Sequence, residues 1–150
     1  RSHFDNASPV AVGDAAKGKA LYEGKGTCAS CHRIGSRGSL VAPDLSDIGV
    51  ARSPANLMQS LRNPSSMMLP INRPVKLVTA DGRTINGRRL NEDTFTVQII
   101  DEKERLLSID KSTLKNLTVS ETSSMPSYAN RLSDAELSDL VAYLLSLKGQ

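Results

Sequence analysis

The feature that most constrains this 150-residue chain is a five-residue run, Cys28-Ala29-Ser30-Cys31-His32, which holds both of its cysteines. Two thiols three positions apart, with an imidazole directly behind them, suit few chemistries. A redox disulfide of this spacing belongs beside a strand–helix–strand pattern, and no strand pattern precedes Cys28. A structural zinc site takes four ligands. Cys28, Cys31 and His32 supply three, and the only other histidine, His3, sits near the terminus. The remaining reading is a c-type haem attachment site. The two sulfurs add to the two vinyl groups on one porphyrin edge, and His32 turns its imidazole to the iron as proximal ligand.

Composition agrees with a bulky prosthetic group. Aromatic residues make up 3% of the chain and tryptophan is absent, whereas large aromatics ordinarily fill much of a core. The charge of +3 is spread without the Lys/Arg stripe of a nucleic-acid binder, so no nucleic-acid partner is expected. No apolar run approaches the roughly 18 residues that cross a bilayer, so no integral membrane segment is expected. Residues 1–8 lack the charged-then-apolar layout of a secretory leader, which reads as a leader already removed or lying upstream.

Along the chain, Asp14 caps a predicted helix over residues 15–23, ended by Gly24 and Gly26. A glycine-rich loop follows over 35–49. Ser53-Pro54 starts a second helix, with Leu57, Met58 and Leu61 on its apolar face, and Asn63-Pro64 stops it. From 74 to 119 the texture becomes β. Residues 75–79 alternate, Asp81-Gly82 marks a hairpin, 84–90 alternates less regularly, 91–93 reads as a turn, and 94–100, 106–109 and 114–119 read as further strands, four or five short antiparallel strands in all. This stretch carries eight Lys/Arg against seven Asp/Glu, so it is no basic platform. Ser133-Asp134-Ala135-Glu136 is a capping box before a last helix with Leu137, Leu140, Val141 and Leu144 at helical spacing, closed by Gly149.

A carrier with both axial positions filled needs a second ligand, commonly a thioether. Met58, Met67, Met68 and Met125 are available. Met58 reads as core; spacing does not choose among the three loop methionines.

The ordered pattern resembles a class I cytochrome c. Gly18 and Tyr22 on the first helix, Cys28-Ala29-Ser30-Cys31-His32, Ala42-Pro43-Asp44-Leu45, Met125-Pro126-Ser127-Tyr128 and the closing run from Asp139 to Leu144 match that family's motifs in sequence. The resemblance implies one haem c held by Cys28 and Cys31, axial ligation by His32 and Met125, and a hydrogen bond from His32 to the Pro43 carbonyl. It also implies that Gly18, Tyr22, Leu140 and Tyr143 form the crossing of the terminal helices.

The implied fold is a mainly α cytochrome c fold with an inserted small antiparallel β domain, α+β overall. Residues 1–13 would form a flexible N-terminus, 14–73 with 120–150 the haem domain, and 74–119 the insert. The arrangement is similar to haem-binding domains attached to some large bacterial dehydrogenase-like proteins. The insert is expected to brace the loop carrying Met125, or alternatively to serve as a docking surface.

The implied function is outer-sphere electron transfer without an enzymatic activity of its own. Its partners would be redox proteins, a dehydrogenase donor or an oxidase or reductase acceptor, in a bacterial periplasm or other extracytoplasmic space. Two alternatives are an electron-accepting domain of a larger dehydrogenase, and a small haem peroxidase or gas-binding protein. The second needs distal polar groups that the sequence scarcely supplies.

Overall fold

The structure is a computed structural model that describes residues 13–66 and 68–149. His3, Met67 and all of the expected N-terminal segment except Gly13 lie outside the described residues.

Helix α1 (Ala15–Glu23) starts where Asp14 accepts from the backbone N–H groups of Ala16 and Lys17. Helix α4 (Asp134–Leu145) opens on the expected capping box, Ser133 and Glu136 each accepting from the other's backbone. The two helices cross at Gly18. A Cβ there would lie 2.0 Å from the Asp139 carbonyl oxygen and 2.8 Å from Tyr143 Cβ, so only hydrogen fits between the backbones. Tyr22 and Tyr143 meet edge to face beside the crossing, with ring centroids 5.5 Å apart. Two further helices, α2 (Ile48–Ala51) and α3 (Pro54–Arg62), complete this part, α3 beginning on Ser53 and Pro54. Leu57, Met58, Leu61, Leu137, Leu140, Val141 and Leu144 are among the residues that fill its core.

A short hairpin, β1 (Arg33–Ile34) with β2 (Arg37–Gly38), follows the cysteine motif. Five longer strands make one antiparallel sheet: β3 (Pro74–Thr79), β4 (Thr84–Glu92), β5 (Thr96–Asp101), β6 (Leu106–Asp110) and β7 (Leu114–Val119). Their order is β6-β5-β4-β3-β7, so the last strand returns to pair with the first. Val75, Leu77, Val97 and Ile99, alternate positions of β3 and β5, are the buried centre of a second core.

The mainly α expectation does not hold. About 32% of the described residues are helical, 3-10 turns included, and 26% are strand, with a large five-stranded sheet. The helices are short, at nine, four, nine and twelve residues. Glycines, serines and Pro43 between α1 and α3 favour turns over helix. The sheet also reaches further than its sequence signals. β4 runs through Asn91 and Glu92 across a register shift after Arg89, and the turn falls at Asp93 instead of at 91–93. Asp93 accepts from the Phe95 and Thr96 N–H groups, which makes that turn. Helix α4 ends at Leu145, before Gly149 is reached; Gly149 instead takes a left-handed conformation and donates to the Ser46 carbonyl.

Candidate haem site

The cysteine motif is shaped by the way α1 ends. Gly24 donates to the Ala20 carbonyl and Gly26 to that of Leu21, which stops the helix. Thr27 then takes a left-handed conformation, φ 53°, and starts a 3-10 turn over Cys28–Ser30. His32 donates its N–H to the Cys28 carbonyl at 2.9 Å, so both sulfurs and the imidazole hang from little more than one tight turn. Cys31 is exposed, while Cys28 is half-buried against the helical core. Burial, with a smaller contribution from Cys31, pushes the Cys28 thiol up to about 11. A site that disfavours a thiolate does not disfavour an uncharged thioether.

His32 Nδ1 lies 2.7 Å from the Pro43 carbonyl oxygen. A carbonyl can only accept, so Nδ1 carries the proton and the Nε2 lone pair is free to bind a metal. Burial lowers the basicity of the ring; the Pro43 bond acts the other way, and the Arg88 charge lowers it further. The ring is therefore neutral near pH 7, the form that ligates.

The segment bearing Pro43 is stitched to the motif by backbone alone. Ser39 donates to the His32 carbonyl, Ala42 to that of Cys31 and Leu45 to that of Arg33. Gly38 makes this approach possible. Its φ is 100°, and a Cβ would fall 2.1 Å from the His32 carbonyl oxygen. At Gly35 φ is also positive, but nothing lies within 4 Å of the same added atom. Gly38→Ala should therefore lower holoprotein stability by about 3 kcal/mol, and Gly35→Ala by about 1 kcal/mol, since the first adds a backbone clash to the left-handed strain. Denaturant unfolding of the two variants checks this; equal losses would remove the clash from the account.

The methionines separate by environment. Met58 is 8% exposed inside the helical core. Met68 is half-buried in the stretch after α3. Met125 packs against the same cluster that Cys28, Ile34 and Leu45 flank. Its loop is pinned on both sides: Ser123 N–H donates to Ser65 Oγ, Ser127 Oγ to the Arg62 carbonyl, Tyr128 N–H to the Leu61 carbonyl, and Tyr128 Oη to the Gly26 carbonyl. The last bond ties the methionine loop to the residue two before Cys28.

The anchors of the loop itself come from α3, Ser65 and Gly26, and β7 leads into it, with Ser120 N–H donating to the Pro74 carbonyl. The β sheet also reaches residues 40–41. Arg88 Nη2 donates to the Leu40 carbonyl and Nε to the Val41 carbonyl, and Glu104 accepts from the Leu40 N–H. Sequence reading misses Arg88, Glu104 and Gly38, because long-range hydrogen bonds and close backbone approaches leave no local periodicity.

Among the described residues no group of three or more His, Cys, Asp or Glu side chains is gathered as a metal cluster, so a zinc clasp gains no fourth ligand there. Two cysteines and a neutral, oriented imidazole fit covalent haem. Among the described residues no helix is long and apolar enough to cross a membrane. No curated protein matches this chain. Comparison with protein families matches residues 15–105 to Cytochrome c, a stretch that takes in α1, the cysteine motif, the Pro43 segment and strands β3 to β5. Such a domain carries covalently bound haem c and transfers electrons, and with more than half its length matched this chain belongs to the cytochrome c family.

Proposed function

We propose that this chain is a monohaem cytochrome of class I, with His32 and Met125 as axial ligands, passing electrons between redox proteins by outer-sphere transfer. The haem, when bound, supplies the Fe(III)/Fe(II) couple. The observation that carries the reading is the His32–Pro43 bond, which presents Nε2 of a neutral ring from the same turn that bears both thiols. Cys28 and Cys31 tether the haem, and Pro43 orients the proximal ring. Met125, on a loop pinned to α3 and to Gly26, completes the ligand set. With both axial sites filled by protein, the chain's work is to hold the couple, exclude water and set its potential. A thioether favours the ferrous state and raises that potential. Arg73, at the start of the β segment, has a buried Nε without a partner among the described residues, a donor of the kind that pairs with a carboxylate such as a haem propionate.

In this reading residues 14–73 and 120–150 form the haem unit and 74–119 an inserted β module. The setting is a bacterial periplasm or another extracytoplasmic space. Partners are a dehydrogenase donor or an oxidase or reductase acceptor.

Intact mass and optical spectra of the matured protein test the assignment together. One covalent haem, a low-spin spectrum in both states and a sulfur-to-iron charge-transfer band in the ferric protein are expected. A mass equal to the polypeptide alone, or a high-spin ferric spectrum, would overturn it.

A further inference from the structure

The acceptor of the His32 ring proton belongs to a segment with little secondary structure of its own. Residues 39–45 carry Pro43 and are held at one side by backbone bonds to Cys31, His32 and Arg33. The other side is held by the β sheet. Arg88, midway along β4, spans two successive carbonyls, those of Leu40 at 3.2 Å and Val41 at 3.3 Å. Glu104, in the turn between β5 and β6, takes the Leu40 N–H at 2.8 Å. The backbone groups of Leu40 and Val41 are thus gripped as donor and acceptors at once, three and two residues before Pro43.

The turn that presents Glu104 is built with some strain. Glu104 is one of two non-glycine residues at positive φ among the described residues, at 62°, a conformation that L side chains adopt at a cost. It is maintained by Asp101, 5% exposed, whose carboxylate accepts from the Lys103 and Arg105 N–H groups and from Arg105 Nε. A buried carboxylate devoted to a left-handed glutamate gives that side chain a fixed aim at Leu40.

We propose that the β sheet sets the strength of the hydrogen bond from His32 to Pro43, with Arg88 and Glu104 as positioning residues that act through residues 40–42. This rests on the reading of His32 as axial ligand. A firmly placed Pro43 carbonyl draws on the Nδ1 proton and makes the ring a stronger electron donor, which favours the ferric state. Loosening the grip weakens that bond and favours the ferrous state.

Charge and position are separable. Arg88→Lys keeps the cation but cannot span two carbonyls. Glu104→Ala removes an anion and an acceptor, while Glu104→Gln keeps an acceptor oxygen. In the holoprotein, Arg88→Lys, which leaves the charge unchanged, and Glu104→Ala, which removes an anion, should both raise the reduction potential. The expected size is about a threefold fall in the ferric-to-ferrous ratio at fixed ambient potential, about 28 mV at 59 mV per tenfold. Exchange of the His32 ring N–H with solvent, followed by NMR in the ferrous state, should quicken by roughly tenfold as local opening becomes easier. Glu104→Gln should restore both values to near the wild type.

An unchanged potential and ring exchange in Arg88→Lys and Glu104→Ala, with an intact His/Met spectrum, overturns this inference alone. So does a Glu104→Gln shift as large as that of Glu104→Ala, which would mark a purely electrostatic effect. If the wild-type ferrous protein shows no haem-shifted His32 ring proton, the axial assignment falls and takes this inference with it.

Discussion

Met125→Ala is expected to yield a protein that keeps its covalent haem but loses the sulfur-to-iron charge-transfer band and binds external ligands readily. Its potential should fall by on the order of 0.1 V, since axial ligation is the largest single lever on a haem couple and spans about 0.8 V across proteins. The direction follows from replacing a soft thioether with water or an added base, which stabilises the ferric ion. The fold should survive. The loop keeps its bonds from Ser127 to the Arg62 carbonyl and from Tyr128 to the carbonyls of Leu61 and Gly26, none of which involves the Met125 side chain. Optical spectra, redox titration and imidazole binding read the three effects. Met67→Ala and Met68→Ala serve as comparisons, and if either reproduces the full set while Met125→Ala does not, the sixth ligand has been misassigned.

Gly18→Val should cost more than any surface substitution in the chain. The first added carbon would sit 2.0 Å from the Asp139 carbonyl oxygen and 2.6 Å from its carbon, both backbone atoms of α4. Backbone cannot rotate away as a side chain can, so the helices must separate. Around the crossing, Tyr22 and Tyr143 would lose their edge-to-face contact, and the bonds from Gly13 and Asp14 to α4 would lengthen. A loss of about 3 kcal/mol or more is expected from overpacking of this kind. For a chain of this length that is a fall of roughly 6–12 °C in Tm. Calorimetry of the holoprotein measures it. A loss below about 1 kcal/mol would mean that the helices slide apart at little cost, and that the close approach at Gly18 contributes little.

The two predictions draw on different levels of information. Met125 stands out through the family resemblance, which rests on Met-Pro-Ser-Tyr before a capped helix, a pattern of consecutive residues. Gly18 also stands out as a resemblance, but the reason it must be glycine lies in Asp139, 121 positions away. Helix starts were readable for the same reason as the motif. Capping bonds join residues two or three apart, as Asp14, Ser53 and Ser133 show.

The full extent of β4 is not legible in the sequence, because a strand's length is set by what pairs with it. Asn91 and Glu92 belong to β4 only because Gln98 and Val97 oppose them past a register shift. Their own preferences favour a turn.

Local chemistry along the chain thus determined the cysteine motif, the caps, the existence of a β segment and the family's ordered signature. All of these depend on neighbours within a few residues. Tertiary structure alone decided the balance of helix and sheet, and how closely the terminal helices approach. It also decided that Arg88 and Glu104 reach residues 40–41 while α3, Ser65 and Gly26 hold the methionine loop. Those outcomes rest on contacts between residues dozens of positions apart. Such contacts form only when both sides are already in place, and neither side carries a trace of the other in its own sequence.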